Sequence, residues 1–389
     1  MIPRNLKLKC EQLAKQYPVI ALLGPRQSGK TTLAMSVFSE HEYVTLEDLD
    51  IREFAKTDPR RFLKTFQNRK GVILDEIQHV PDLLSYIQTY VDQNPVSGAI
   101  ILTGSQNFLI HQAISQTLAG RIAILTLLPL SIEELNAHHL LANSADDLLF
   151  TGFYPRIYAK KLAPEEWYTN YVSTYVEKDV RMIKNIPDLL TFRRFLKLCA
   201  GRIGQPVNFS SLGNDCGIDQ RTVKSWLSIL EMSYIIFLLP PHFENFSKRL
   251  VKMPKIYFYD PGLACSLLGI DSVEQVKSHY LRGGLFESMI ISDFIKQKYN
   301  AGVLPRIYFW RDKHGHEVDC IIEQKNQRIP IEIKSGQTIS SDYFDALSYW
   351  NTLAKAPTSS GYIVYSGEEK QEREKGTVIS WKKISSIFE

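Results

Sequence analysis

The chain has 389 residues, 44% hydrophobic and 23% charged, the balance of a globular protein with room for two or three domains. Its formal charge of +4 is mildly basic, compatible with nucleic acid without requiring it. The five cysteines (Cys10, Cys199, Cys216, Cys265, Cys320) form no C-x-x-C pair, which argues against a disulfide scaffold or a zinc site and fits a reducing cytoplasm. The amino terminus has no apolar signal core, and no apolar stretch is long enough to span a bilayer. A cytoplasmic protein without a membrane partner is expected.

The first motif is Gly24-Pro25-Arg26-Gln27-Ser28-Gly29-Lys30-Thr31, which fits G-x-x-x-x-G-K-[ST] at every fixed position. The apolar run Val19–Leu23 precedes it as a buried strand, and Thr32-Leu33-Ala34-Met35 follows as a helix start. Strand, loop and helix in that order are the context in which this pattern cradles phosphates. Gly24 and Gly29 let the backbone close on the anion, and the helix-start N–H groups face it. Lys30 reaches toward β- and γ-phosphates, and the Thr31 hydroxyl toward Mg²⁺. The whole segment from Gly24 to Thr32 is the candidate nucleotide site.

Further strands are expected at Tyr43–Leu46, Val72–Leu74, Ile100–Thr103 and Ile122–Leu127. Alternating with helical segments, they predict an α/β parallel sheet of the P-loop NTPase kind, ligand-binding at the carboxyl ends of its strands. Asp75 and Glu76 end one strand. Asp75 is placed to hold Mg²⁺ through water and Glu76 to polarise the attacking water. Thr103, Ser105 and Asn107 end another strand as candidates for sensing the γ-phosphate, with Ser105 counted among the catalytic candidates.

Residues 140–200 read as helical and rich in aromatics, among them Trp167, Tyr168, Tyr171 and Tyr175. The mixed charges of the run 175–181 read as a salt-bridged surface. Residues 205–260 read as a winged helix. A short helix Phe209–Cys216, a turn at Gly217-Ile218 and an Asp219 cap lead into a helix Gln220–Met232. Val223, Trp226, Leu227 and Leu230 form its buried stripe, while Arg221, Thr222, Lys224 and Ser225 face outward. Lys248, Arg249 and Lys252 lie between two following strands, where a wing meets phosphates.

The last third carries an acid on a helix, acids on a strand, then Glu-x-Lys on the next strand. Glu287 sits on the apolar stripe of a helix Leu285–Tyr299, expensive unless partnered or used. Glu317 and Asp319 share one face of a strand, after a hairpin around Lys313-His314-Gly315. Glu332 and Lys334 point together on the next. Asp319 and Glu332 are candidate ligands for one or two Mg²⁺ ions, with Glu287 and Lys334 as catalytic partners. His314 and His316 flank the hairpin glycine as exposed turn residues.

As an ordered set, these motifs resemble a family of bacterial and archaeal ATPases in which an AAA-superfamily domain precedes a restriction-endonuclease-like (PD-(D/E)xK) domain. Leu102-Thr103-Gly104-Ser105, Leu118-Ala119-Gly120-Arg121, Leu128-Pro129-Leu130 and Gly152-Phe153-Tyr154-Pro155-Arg156 join the sequences above in carrying that resemblance. Val318 stands before Asp319 where the nuclease motif has proline. The resemblance implies an AAA-type core over 1–135, a helical region over 136–204, a winged helix over 205–275 and an α+β nuclease-like domain over 276–389. It also implies ATP hydrolysis, a homo-oligomeric ring such as a hexamer, Arg121 as an arginine finger across a subunit boundary, and action on DNA, branched or broken. The expected activity is a Mg²⁺-dependent ATPase that binds and remodels or processes DNA, nuclease cleavage being a further possibility. The alternative is an ATP-driven regulatory switch that binds protein partners.

Overall fold

The computed structural model describes residues 2–66, 69–105, 117–176, 188–242, 252–325 and 327–388. The chain divides into two units: Met1–Leu130 with Met232–Tyr234 and Lys298–Val303, and Ser131–Glu231 with Ile235–Gln297 and Leu304–Glu389.

In the first unit β1 (Val19–Gly24), β2 (Glu42–Thr45), β3 (Val72–Asp75), β4 (Ile100–Ser105) and β5 (Ile122–Thr126) form one parallel sheet in the order β2-β3-β4-β1-β5. Val19, Ala21, Leu23, Leu74 and Leu102 pack on one face with Leu84, Ile87 and Val91 of the helix Leu83–Gln93. Ile20, Leu22, Ile73 and Ile101 pack on the other with Leu33 and Ala34 of the helix Lys30–Val37. Burial on both faces is why the central strands read as unbroken apolar runs, not as alternating ones. The register sets Thr45 beside Asp75 and Gly24 beside Ser105, so β1, β3 and β4 deliver their carboxyl ends to one edge.

In the second unit, the helices Ala145–Thr151, Pro155–Lys160, Pro164–Tyr171 and Leu189–Ala200 occur in that order. Tyr154, Trp167, Tyr168 and Tyr171 are buried together, the rings of Trp167 and Tyr171 stacked at 4.9 Å. Of the expected charged run 175–181, residues 177–181 lie outside the described residues. Asn208 caps the helix Phe209–Cys216 by accepting from Ser211 N–H. Gly217, at φ 77°, turns the chain, and Asp219 caps Gln220–Met232 by accepting from Arg221 and Thr222 N–H. Val223, Trp226, Leu227 and Leu230 are buried, and Trp226 meets Phe192 and Phe195 edge-on. Antiparallel β6 (Ile236–Leu239) and β7 (Lys255–Phe258) complete this helix-turn-helix segment. Lys252 is exposed, whereas Lys248 and Arg249 lie outside the described residues.

The carboxyl-terminal part holds a mixed sheet in the order β12-β13-β11-β10-β9-β8, formed by β8 (Ile307–Arg311), β9 (Glu317–Gln324), β10 (Gln327–Lys334), β11 (Tyr362–Tyr365), β12 (Gln371–Arg373) and β13 (Gly376–Ser380). β8, β9 and β10 form an antiparallel meander; the helix Asp345–Ala354 then crosses over to β11, which runs parallel to β10. The long helix Arg282–Asn300 begins three residues before the sequence pattern placed it.

Asp260 is the polar centre of the helical part. Fully buried, it accepts from Tyr168 Oη at 2.6 Å, Phe153 N–H at 2.7 Å and Leu263 N–H at 2.9 Å. A Cβ at Gly152 or at Gly262 would run into the Tyr168 ring or hydroxyl, so these glycines make room for the network. Asp260→Ala leaves the buried N–H groups of Phe153 and Leu263 unanswered, at about 1–3 kcal/mol each, while the Tyr168 hydroxyl keeps the Thr151 carbonyl at 3.2 Å. We expect it to lower the second unit's urea midpoint strongly at unchanged m-value, and Asp260→Asn to lower it less.

Candidate functional site

The phosphate loop is braced from within the first unit. Gly24 has φ 154°, and a Cβ there would overlap the Leu127 carbonyl oxygen; Gly29 has φ 95° and opens the helix Lys30–Val37. The Arg4 guanidinium, buried, donates to Ser28 O and to Leu128 O, each at 2.7 Å. It clamps the loop to the Leu128-Pro129 segment.

Lys30 is 5% exposed, and its ammonium donates to Gly24 O at 3.1 Å and Pro25 O at 2.8 Å. Those carbonyls hold the charge where phosphate oxygens would take it over. Ser28 Oγ and Gln27 Oε1 are buried with no hydrogen-bond partner among the described residues, and Ser28 has a proton to give an anion.

Asp75 gathers three hydroxyls. Its Oδ1 accepts from Thr31 Oγ1 at 2.9 Å and from Thr103 Oγ1; its Oδ2 accepts from Tyr43 Oη at 2.9 Å. Burial, then the hydrogen bond to Asp75, pushes the Tyr43 hydroxyl up to about 12, so it remains a donor. The hydroxyl and carboxylate oxygens of Thr31 and Asp75 are the hard donor set that Mg²⁺ takes, held as close as one octahedral ion requires. The residues therefore fit Mg²⁺.

Glu76, in left-handed conformation at φ 57°, leaves the strand and accepts from Gln78 Nε2, which also donates to Ser105 Oγ at 3.1 Å. The geometry thus brings Lys30, Thr31, Asp75, Glu76, Thr103 and Ser105 to one edge, while Asn107 lies outside the described residues. Arg121 is elsewhere: it precedes β5 beside the start of β1, at the opposite end of the sheet, paired with Asp92 at 2.6 and 3.0 Å. Tyr43, Gln78 and Arg4 escaped the sequence reading. A tyrosine on an edge strand or an arginine before the first helix has no local pattern that sets it apart from a surface residue.

In the second unit, Asp319, Glu332 and Lys334 also come together. Lys334 Nζ lies 2.7 Å from Glu332 Oε2 and 3.7 Å from Asp319 Oδ2. Asp319 N–H donates to Glu332 Oε1 at 3.3 Å, and Ile333 N–H to Asp319 Oδ2 at 2.8 Å. Glu287 has a partner that the sequence reading did not name: Lys255 Nζ at 3.1 Å, with Tyr257 Oη donating to the same oxygen. Lys255 also pairs with Glu317, which Arg311 approaches at 3.3 Å. Burial pushes the Glu287 carboxyl up to about 7 against the pull of Lys255. Burial pushes Lys255 down, but the charges of Glu287, Glu317 and Asp319 outweigh it and hold the ammonium above the ordinary lysine range. Among the described residues no group of three or more His, Cys, Asp or Glu is disposed to hold a metal ion. His316 stacks on Tyr349 at 4.0 Å and joins Asp312 in the hairpin turn.

Residues 16–136 match the family model described as an AAA domain. The N-terminal part of the chain is an AAA-type P-loop ATPase domain. Residues 142–274 match a domain of unknown function, DUF8612, and residues 282–384 another, DUF4143. The chain is 27% identical over 374 residues to the uncharacterized protein Rv2008c of Mycobacterium tuberculosis, covering 94% of this chain and 80% of the relative. An uncharacterized Haemophilus influenzae protein is 22% identical over 342 residues, 78% of this chain and 85% of its own length. Among solved structures, the Walker-type ATPase PABY2304 of Pyrococcus abyssi is similar at 18% identity and a TM-score of 0.46, covering 69% of this chain and 96% of that one.

The AAA-type domain makes the chain an ATP hydrolase, and its residues generate distinct expectations. Lys30→Ala removes the ammonium of the phosphate loop and should cut nucleotide affinity at least tenfold in a fluorescent-nucleotide titration. Glu76→Gln should keep that affinity and lower turnover by about 10²-fold or more, the scale of a lost general base.

Proposed function

We propose that the protein is a Mg²⁺-dependent ATPase that binds DNA and remodels or processes it. The observation that carries the ATPase chemistry is the 2.9 Å approach of Thr31 to Asp75, beside a lysine resting on carbonyls it can exchange for phosphates. Bound Mg²⁺ would supply charge neutralisation on the β- and γ-phosphate oxygens. Lys30 binds those oxygens, Tyr43 and Thr103 fix the Asp75 carboxylate, and Glu76, oriented by Gln78, accepts the proton of the attacking water. Ser105, tied to the same Gln78, is the residue we assign to sensing the γ-phosphate.

DNA is the partner favoured by the second unit. The helix-turn-helix segment reads best as a winged helix over 205–275, whose Gln220–Met232 helix exposes Arg221 and Lys224. Arg194 and Lys197 are exposed on the helix Leu189–Ala200. Residues 276–389 read best as a restriction-endonuclease-like domain: a helix bearing Glu287, a three-stranded meander, a crossover helix and a parallel strand. In that reading Asp319 and Glu332 stand at the metal-holding positions and Lys334 at the lysine position.

Homo-oligomerisation into a ring is the arrangement in which Arg121 acts, leaving Asp92 to reach a neighbour's γ-phosphate. Among the described residues no helix is long and apolar enough to cross a membrane, and a cytoplasmic setting suits five buried free thiols.

The test is ATP turnover measured against single-stranded, duplex and branched DNA. The proposal expects stimulation by at least one of these. It also expects a DNA affinity whose log-log salt slope falls by about 1 for each of Arg221→Ala and Lys224→Ala. Turnover and binding indifferent to every DNA would reassign the helix-turn-helix to protein contacts. Arg121→Ala should lower turnover without lowering nucleotide affinity.

A further inference from the structure

Lys255 is the first residue of β7, yet only 2% of it is exposed. Its ammonium lies between the helix acid Glu287 and the strand acid Glu317, above the Phe309 ring. We propose that Lys255 is the resident cation of this carboxylate site, so that the site takes Mg²⁺ or Mn²⁺ only when Lys255 is withdrawn. The proposal rests on the nuclease-like reading of residues 276–389.

The carboxylates are already engaged. Glu287 accepts from Lys255 and Tyr257, Glu317 pairs with Lys255 and Arg311, Asp319 accepts from Ile333 N–H, and Glu332 accepts from Asp319 N–H and Lys334. Among the described residues, Glu287, Glu317, Asp319 and Glu332 thus face the cationic side chains of Lys255, Arg311 and Lys334. A divalent ion entering here would meet a fixed ammonium of like charge, and oxygens already committed to donors. Mg²⁺ demands near-octahedral oxygen ligation and sheds water reluctantly, so this donor set does not fit it while Lys255 is in place. With Lys255 gone, Glu287 and Glu317 lose their shared cation, and Asp319 lies within electrostatic reach of Glu287. That is a metal site in waiting. Lys255 is also removable in principle. It pairs with Leu239 of β6 on one side and bridges Pro206 on the other, just after exposed Lys252 and Met253, so withdrawing it requires the start of β7 to part from both neighbours.

The experiment titrates Mn²⁺ into the full chain without nucleotide, read by electron paramagnetic resonance. Wild type and Lys255→Arg should show no tight site in the second unit. Lys255→Ala and Lys255→Gln should gain one, at least tenfold tighter than any wild-type binding, and Glu287→Gln in the same chain should abolish the gain. Circular dichroism checks that each variant is folded. Wild-type binding that disappears in Asp319→Asn overturns the proposal, even if every Lys255 variant fails to fold. So does a folded Lys255→Ala chain that gains nothing. DNA stimulation of ATP turnover is scored separately: its absence counts against the proposed function and leaves the Mn²⁺ result standing.

Discussion

One buried carboxylate, Asp75, organises the first unit. An acid side chain 6% exposed survives only if its oxygens are answered, and Thr31, Thr103 and Tyr43 answer them with hydroxyls from the helix after the phosphate loop, β4 and β2 respectively. The parallel sheet is what makes this possible. It ends three strands on one edge, and helices pack on both of its faces. A hydroxyl keeps lone pairs after it has donated, so Thr31 can serve both Asp75 and a cation. The brace is thus compatible with the ion it surrounds.

The second unit meets the same electrostatic demand differently. Its acids Glu287, Glu317, Asp319 and Glu332 are answered chiefly by ammonium and guanidinium groups. Cationic partners hold buried acids firmly, and removing one is costly, about 3–5 kcal/mol in comparable buried pairs. But an ammonium competes with a metal where a hydroxyl cooperates with it. Two clusters of acids and lysines that look alike in sequence are thus answered by different partners, hydroxyls in one and cations in the other.

Much of this was legible in the sequence because it was local. The glycines of the phosphate loop, the Asp75-Glu76 strand end and the Asp219 cap each depend on residues a few positions apart, and period-two alternation put Asp319 opposite Val318. Glu287 was flagged by its cost on an apolar helix stripe. What resolves that cost, Lys255, lies 32 residues earlier on a strand whose pattern gives no reason for its lysine to point inward. Arg4, Tyr43 and Gln78 were hidden for the same reason: each acts through a contact that only the sheet order creates. Arg121 shows the converse. A motif marked it, and the sequence put it before the last strand, but its place beside the start of β1 comes from the register of β5 on β1.

The account turns on Thr31 and Asp75 serving one cation. The direct measurement is a double-mutant cycle on Mn²⁺ affinity in the presence of ATP, using Thr31→Val, Asp75→Asn and the pair. Ligands of a shared ion give losses that do not add, the double variant binding little worse than the weaker single one. Losses that add independently would mean the two side chains serve separate purposes, and the reading of this edge as a catalytic nucleotide site would fail.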